Sequence, residues 1–162
     1  MNVGEPKNSQ IETSGREYDA LEHSEIAANK LHAYRDTLYR IGEGVDALTL
    51  RIGVRSDELR NLFDRTGKTC GVFITAYNPF GQAQADEANA SAHAELVSHF
   101  EGLAVTVING AGADISGIWP EEKSVFALGI DEQDARVLGI HFRQDAVVWV
   151  GADVIPQLLV LR

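Results

Sequence analysis

Two stretches of this chain carry side chains whose types and spacing could do chemistry. The first is Tyr77-Asn78-Pro79-Phe80-Gly81 together with Asn89 and His93. At about 100° per residue, Asn89, Ala92, His93, Leu96 and Phe100 fall within roughly 100° of one another on a helix. An amide and an imidazole therefore share the stripe that holds the apolar anchors. A polar group on such a stripe must find a partner or lose roughly 1–3 kcal/mol. The nearest partners along the chain are Tyr77 and Asn78, because a strand–loop–helix unit sets the loop beside the first helical turn. Amides converging on a helix N-terminus suit a carboxylate, a phosphate or a peptide carbonyl. A purely structural role competes with this: Asn89 pinning the Asn78-Pro79 loop, and His93 as a satisfied, half-buried histidine.

The second stretch is Trp119-Pro120-Glu121-Glu122. Adjacent acids suggest acid–base catalysis, yet neighbours in an extended segment point to opposite sides, so at most one of them faces a pocket. The plainer reading has one carboxylate capping or paired and the other solvated. Other chemistries find little footing. His93 and His99 are out of phase on a helix and no Cys/His cluster exists, so no metal is expected. Ser91 or Ser124 could join His141 and an acid on paper, but no Gly-x-Ser-x-Gly elbow is present. Gly110 and Gly112 lack the third glycine of a dinucleotide fingerprint, and Lys68 after Gly67 lacks a Walker context. No cofactor is expected. Cys70, the one cysteine, excludes an internal disulfide and reads as a small core residue.

The elements that must position these groups are written in the hydrophobic pattern. Residues 1–16 are polar, without apolar periodicity, and read as a flexible arm. A helical pattern runs from Glu17 to Leu31. From His32 to Ile41 the chain alternates as a strand does, and Ala47–Ile52 follows as a second. Ser56 caps a short amphipathic helix that Gly67 closes. Cys70–Ala76 is nearly all apolar, as in an interior strand covered on both faces. Pro79 lacks an N–H and cannot continue it. Asp86 caps a helix over Glu87–Phe100, Leu103–Ile108 is strand-like, Asn109–Gly117 is a glycine-rich loop and Val125–Ile130 is a strand. Asp131 caps a helix through Phe142, and Ala146–Val150 and Val154–Leu161 finish as strands. The fold class is α+β or α/β: a single mixed β-sheet flanked by about three helices, with residues 17–162 as one globular domain.

A chain of 162 residues with 44% hydrophobic content has enough apolar mass for one core of ordinary size. No apolar run approaches the eighteen residues of a membrane span, and no charged-then-apolar leader opens the chain, so a cytoplasmic protein is expected. The formal net charge of −10 opposes direct nucleic-acid binding, which needs cations against phosphate. Residues 81–162 hold four basic and twelve acidic side chains. That acidity keeps a surface solvated or steers it toward a basic protein partner. Oligomeric state is left open.

Several strings are also familiar as a set. Phe73-Ile74-Thr75-Ala76-Tyr77-Asn78-Pro79, then Asn89, Trp119-Pro120-Glu121-Glu122-Lys123-Ser124, Leu128-Gly129-Ile130 and Phe142-Arg143-Gln144-Asp145-Ala146 occur in this order. The chain resembles the bacterial domain-of-unknown-function family DUF3293 from about Tyr34 to Val154. In that family the first motif reads Ile-Thr-Ala-Trp/Tyr-Asn-Pro, and a Trp-Pro-x-Glu-x-Ser pattern matches Trp119, Pro120, Glu122 and Ser124. The last motif is usually Phe-Gly-Gln-Asn-Ala, from which this chain departs with Arg143 and Asp145. The resemblance implies a polar cluster of Asn78, Asn89, Glu122 and Gln144 and brings no activity with it.

Two functional readings follow. One is a non-enzymatic binding or regulatory module, with a basic protein partner as for an inhibitor or immunity protein, or with a small ligand. The other is a small enzyme with a pocket between the Tyr77–Gly81 and Trp119–Ser124 loops, with Glu122 as general base and Asn78 or Asn89 orienting the substrate. The binding residues expected on either reading are Tyr77, Asn78, Asn89, His93, Trp119, Glu122 and Gln144; no catalytic nucleophile is recognisable.

Overall fold

Alternating apolar residues build one seven-stranded sheet in the computed structural model, which describes residues 26, 28–116 and 120–162. The strands are β1 (Leu38–Ile41), β2 (Leu48–Leu50), β3 (Gly71–Ile74), β4 (Thr106–Ala113), β5 (Glu122–Leu128), β6 (Ala146–Val150) and β7 (Gln157–Val160). Their order is β2-β1-β4-β5-β3-β6-β7, and each neighbouring pair is antiparallel. Among the described residues four α-helices accompany them: α1 (Ala28–Asp36), α2 (Asp57–Thr66), α3 (Asp86–Glu101) and α4 (Glu132–His141). The single sheet flanked by helices is as the sequence predicts, and of the two fold classes it is α+β. A mixed sheet would contain a parallel pair, and among the described residues none occurs.

Period-2 alternation sorts the interior strands onto two faces. Phe73, Phe126, Leu128, Val148 and Val150 point to one side, where Leu59, Leu62 and Phe63 of α2 cover them. Val72, Ile74, Val125 and Ala127 point to the other, under Leu96 and Phe100 of α3 and Ala135 and Leu138 of α4. β3, paired with β5 and β6, is buried at all four positions, which is why its sequence reads as an unbroken apolar run.

Cap chemistry sets two helix starts as the sequence indicates. Ser56 Oγ accepts from the Leu59 N–H at 3.1 Å, and Gly67 ends α2 in the left-handed region at φ 69°. Asp131 Oδ1 accepts from the Asp134 N–H at 2.8 Å. In α3, however, Asp86 is the first helical residue and Ala85 holds the cap position without a side-chain bond. Asp86 and Glu87 therefore favour that end through their charge on the helix dipole.

Two segments differ from the sequence reading. His32–Asp36 is helical, the second half of α1, and the strand begins at Leu38. Leu31 is the one buried residue of that helix, so its polar surface mimics alternation; Thr37 Oγ1 donates to the Ala33 carbonyl at 2.7 Å where the helix ends. The glycine-rich stretch after Ile108 is strand as far as Ala113. Gly110 lies so close to β1 that a Cβ there would sit 2.6 Å from the Arg40 carbonyl and 2.9 Å from the Phe73 ring. Its glycine serves close approach rather than a turn. The arm at 1–16 and most of the helix expected over Glu17–Leu31 fall outside the described residues.

Gly110 and Gly112 make a controlled pair for the same substitution. A Cβ at Gly112 meets only Thr37 Cγ2, at 3.7 Å. Gly110→Ala is expected to cost about 1–3 kcal/mol by overpacking, whereas Gly112→Ala stays within about 1 kcal/mol of the parent in either direction. Urea denaturation of both variants checks this, and equal costs would refute the close-approach account.

Candidate functional site

Where β3 runs out, Thr75 ties it to the start of β5. Its hydroxyl donates to the Lys123 carbonyl at 2.7 Å and accepts from the Tyr77 N–H at 3.1 Å. The chain then turns through Asn78 at φ 46° and a 3-10 turn over Pro79–Gly81 with Phe80 at φ 56°. Asparagine tolerates this left-handed conformation; phenylalanine adopts it only under constraint. The constraint is Asn89, buried on α3 as the stripe predicts. Its Oδ1 accepts from the Asn78 N–H at 2.9 Å and from Gln84 Nε2 at 2.7 Å, and its Nδ2 donates to Asn78 Oδ1 at 3.0 Å. Asn78 Oδ1 also accepts from the Gln84 N–H at 3.2 Å. The two asparagines thus form a reciprocal pair that fixes the loop on the helix.

Asn78 also reaches across to the second stretch. Its Nδ2 donates to Glu122 Oε1 at 3.0 Å, joining two segments 44 residues apart. Glu122 opens β5 opposite Gly112, which faces Tyr39 on β1. Gly112 puts no side chain into this row between Tyr39 and Glu122. Glu122 Oε2 is engaged by no described residue. Burial raises this carboxyl above the ordinary glutamate range, against the opposing pull of the Asn78 hydrogen bond and the Lys30 charge. Glu121 turns the other way and pairs with Arg40 on the surface, so the adjacent acids point apart as extended geometry requires.

The remaining expected residues take varied places. Gln144 Nε2 donates to the Tyr77 carbonyl and to the Phe142 carbonyl, both at 3.2 Å, and so borders the cluster without touching Glu122. The Tyr77 ring meets His93 edge-on, with centroids 6.3 Å apart. His93 stands outside the amide network. Burial and then the Lys123 charge lower its proton affinity, and its Nδ1 has no partner among the described residues. Trp119 lies outside the described residues.

Other side chains complete this end of the sheet. Asp145, whose side chain is fully buried, pairs with Lys30 of α1 and with Arg162, whose Nε lies 2.6 Å from Oδ1 as an ion pair rather than an aligned hydrogen bond. The Arg162 guanidinium sits over the Phe80 ring, 4.6 Å from its centroid. The Tyr34 phenol is pushed well up by burial, then by the charges of Asp145 and Glu122, with Arg162 opposing. Lys30 and Tyr34 are four apart on α1, a spacing visible only once the segment is read as a helix. Asp145 was marked in sequence by its departure from the family motif. Three of the four described non-glycine residues with positive φ, Asn78, Phe80 and Arg143, lie here, and Arg143 occupies the position where the family motif has glycine. A cavity of about 340 Å³ lies apart from the cluster, lined by residues that include Arg40, Glu43, Asn109 and Glu121. Among the described residues no group of three or more His, Cys, Asp or Glu could hold a metal ion, and no helix is long and apolar enough to cross a membrane.

Residues 74–147 match the model of the family DUF3293, a protein of unknown function, so the likeness read from the motifs holds over this stretch. The matched stretch contains Asn78, Asn89, Glu122, Gln144 and Asp145, while Lys30, Tyr34 and Arg162 lie outside it. No curated protein and no solved structure matches the chain.

Two substitutions probe the cluster. Asn89→Ala strands the Asn78 N–H and the Gln84 side-chain amide and takes one of two donors from Asn78 Oδ1, and is expected to cost about 2–4 kcal/mol in denaturant unfolding; a cost below about 1 kcal/mol would show that the pair does not hold the loop. Because Glu122 binds its proton more tightly folded than unfolded, it lowers stability as pH rises from the ordinary glutamate value through its raised one. Glu122→Gln should therefore be at least as stable as the parent at pH 7, with the advantage vanishing below that window. Denaturation at pH 7 and pH 4 reads both, and a variant markedly weaker at pH 7 contradicts the assignment.

Proposed function

We propose that this protein is a non-enzymatic binding module that recognises a basic protein partner through the end of the sheet around Glu122. One observation carries the reading: Asn78 and Asn89 are closed into a hydrogen-bonded pair, whereas Glu122 keeps one carboxylate oxygen unengaged among the described residues. A carboxylate presented in this way accepts from an ammonium or guanidinium donor, and charge-assisted hydrogen bonds are the strong ones. The distribution of charge supports the same partner. Exposed Asp86, Glu87, Glu95, Glu101, Glu132 and Asp134 all belong to α3 and α4, the helices that share one face of the sheet, with Arg136 as the basic residue among them. Such a one-signed layer raises encounter rates with a cationic surface.

The raised proton affinity of Glu122 favours a second reading, a small enzyme with Glu122 as general base. The amides that would orient a substrate are already committed to one another, which places this reading second.

Capture of co-purifying proteins on the immobilised full chain, at low and high salt, tests the first reading. A basic protein retained at low salt should be released as salt rises, and Glu122→Gln should weaken its binding about tenfold or more, the effect of losing one charged acceptor. Capture indifferent both to salt and to Glu122→Gln would overturn the proposal.

A further inference from the structure

The contact between Lys30 and Asp145 has the form of a ligand in a slot. Asp145 is 1% exposed and sits in the turn between α4 and β6, a buried carboxylate that requires a cation in place. Lys30 supplies one from α1, beside the Arg162 guanidinium at Oδ1, and its ammonium donates both to Asp145 Oδ2 and to the Phe80 carbonyl, the latter at 3.3 Å. Gly81 shapes the entrance. A Cβ there would overlap the Lys30 ammonium, lie 2.7 Å from its Cε and 3.6 Å from Asp145 Oδ2. An aliphatic chain ending in an ammonium is what fits this passage. The walls belong to the Asn78–Gly81 turn and the Arg143–Asp145 turn, both bent through positive φ and joined by the Phe80 N–H donating to the Arg143 carbonyl at 2.7 Å. The occupant arrives on a helix of nine residues that buries only Leu31.

We propose that Asp145, the Phe80 carbonyl and Gly81 form a slot for a primary ammonium on an alkyl chain, which α1 fills in cis with Lys30 and from which a ligand's ammonium displaces it. The proposal rests on the reading that this end of the sheet recognises a cation, and it names the chemistry of that cation. A lysine side chain of a partner protein and a free alkylamine share it. Tethering makes Lys30 a strong competitor, so the slot shows a reduced apparent affinity until α1 lifts.

The test uses the full-length chain, n-butylammonium and the capped peptide acetyl-Gly-Lys-Gly-amide, with butyltrimethylammonium as a cation of similar shape that cannot donate a hydrogen bond. Lys30→Ala opens the slot. Butylammonium and the peptide should then raise its melting temperature and restore amide-exchange protection at residues 78–81, with apparent affinities at least tenfold better than for the parent. The quaternary amine should do neither, and Lys30→Ala combined with Asp145→Asn should respond to none of them. Tighter binding of the peptide assigns the ammonium to a protein side chain, and equal binding assigns it to a small amine; both support the slot. Should Lys30→Ala not fold, the parent itself is titrated with the peptide, and amide exchange must speed up in residues 28–36. An equal response to the quaternary amine, a response that survives Asp145→Asn, or no response in either format overturns the proposal. Amine binding with partner capture untouched by Glu122→Gln would sink only the reading of Glu122. Glu122-dependent capture without amine binding would sink only the slot.

Discussion

The reciprocal pairing of Asn78 with Asn89 is the interaction on which the organisation of this end of the molecule depends. A carboxamide buried without partners is costly, and two that satisfy one another are held in a single arrangement. Because the Asn78 N–H is one of the bonded groups, the pair fixes main chain as well as side chain. It holds a turn whose Phe80 sits in a conformation that L-residues avoid. Once the turn is set, the Asn78 amide donates to Glu122, and the glutamate acquires its orientation.

Electrostatics adds a second constraint of a different kind. Asp145 places a negative charge where water does not reach, and its two cationic partners come from α1 and from Arg162. Segments far apart in sequence are thus drawn to one point by the requirement to neutralise a buried charge. Such a pair confers little net stability over an apolar contact, yet removing one partner is expensive. That asymmetry suits a contact that must be occupied but need not always have the same occupant.

The sheet supplies the frame for both. β3 and β5 are joined by backbone pairing and by Thr75, which fixes the distance between the Asn78 turn and Glu122. Gly110 lets β1 and β4 approach, since a Cβ there would meet the Arg40 carbonyl. Six exposed acids fall on α3 and α4, which bury their apolar stripes on the same face. Part of the charge concentrated in one half of the sequence thereby comes to lie on one layer.

Local rules determined much by themselves. Ser56, Gly67 and Asp131 marked their helix ends because a cap needs only neighbours along the chain. Cys70–Ala76 read as an interior strand because burial on both faces leaves no polar position, and the stripe of Asn89, Leu96 and Phe100 showed an amide turned inward, for which the preceding loop was the nearest partner. The opposed directions of Glu121 and Glu122 followed from extended geometry. Tertiary structure alone decided the rest. Nothing local separates a glycine that permits close packing, such as Gly110, from one that makes a turn, since the neighbour that decides it is Arg40, seventy residues away. The helical state of His32–Asp36 was masked because a helix with one buried residue carries almost no period. The roles of Lys30, Tyr34 and Arg162 were invisible because a charge acquires its meaning from the partner it meets, and Asp145 is met only after the sheet has closed.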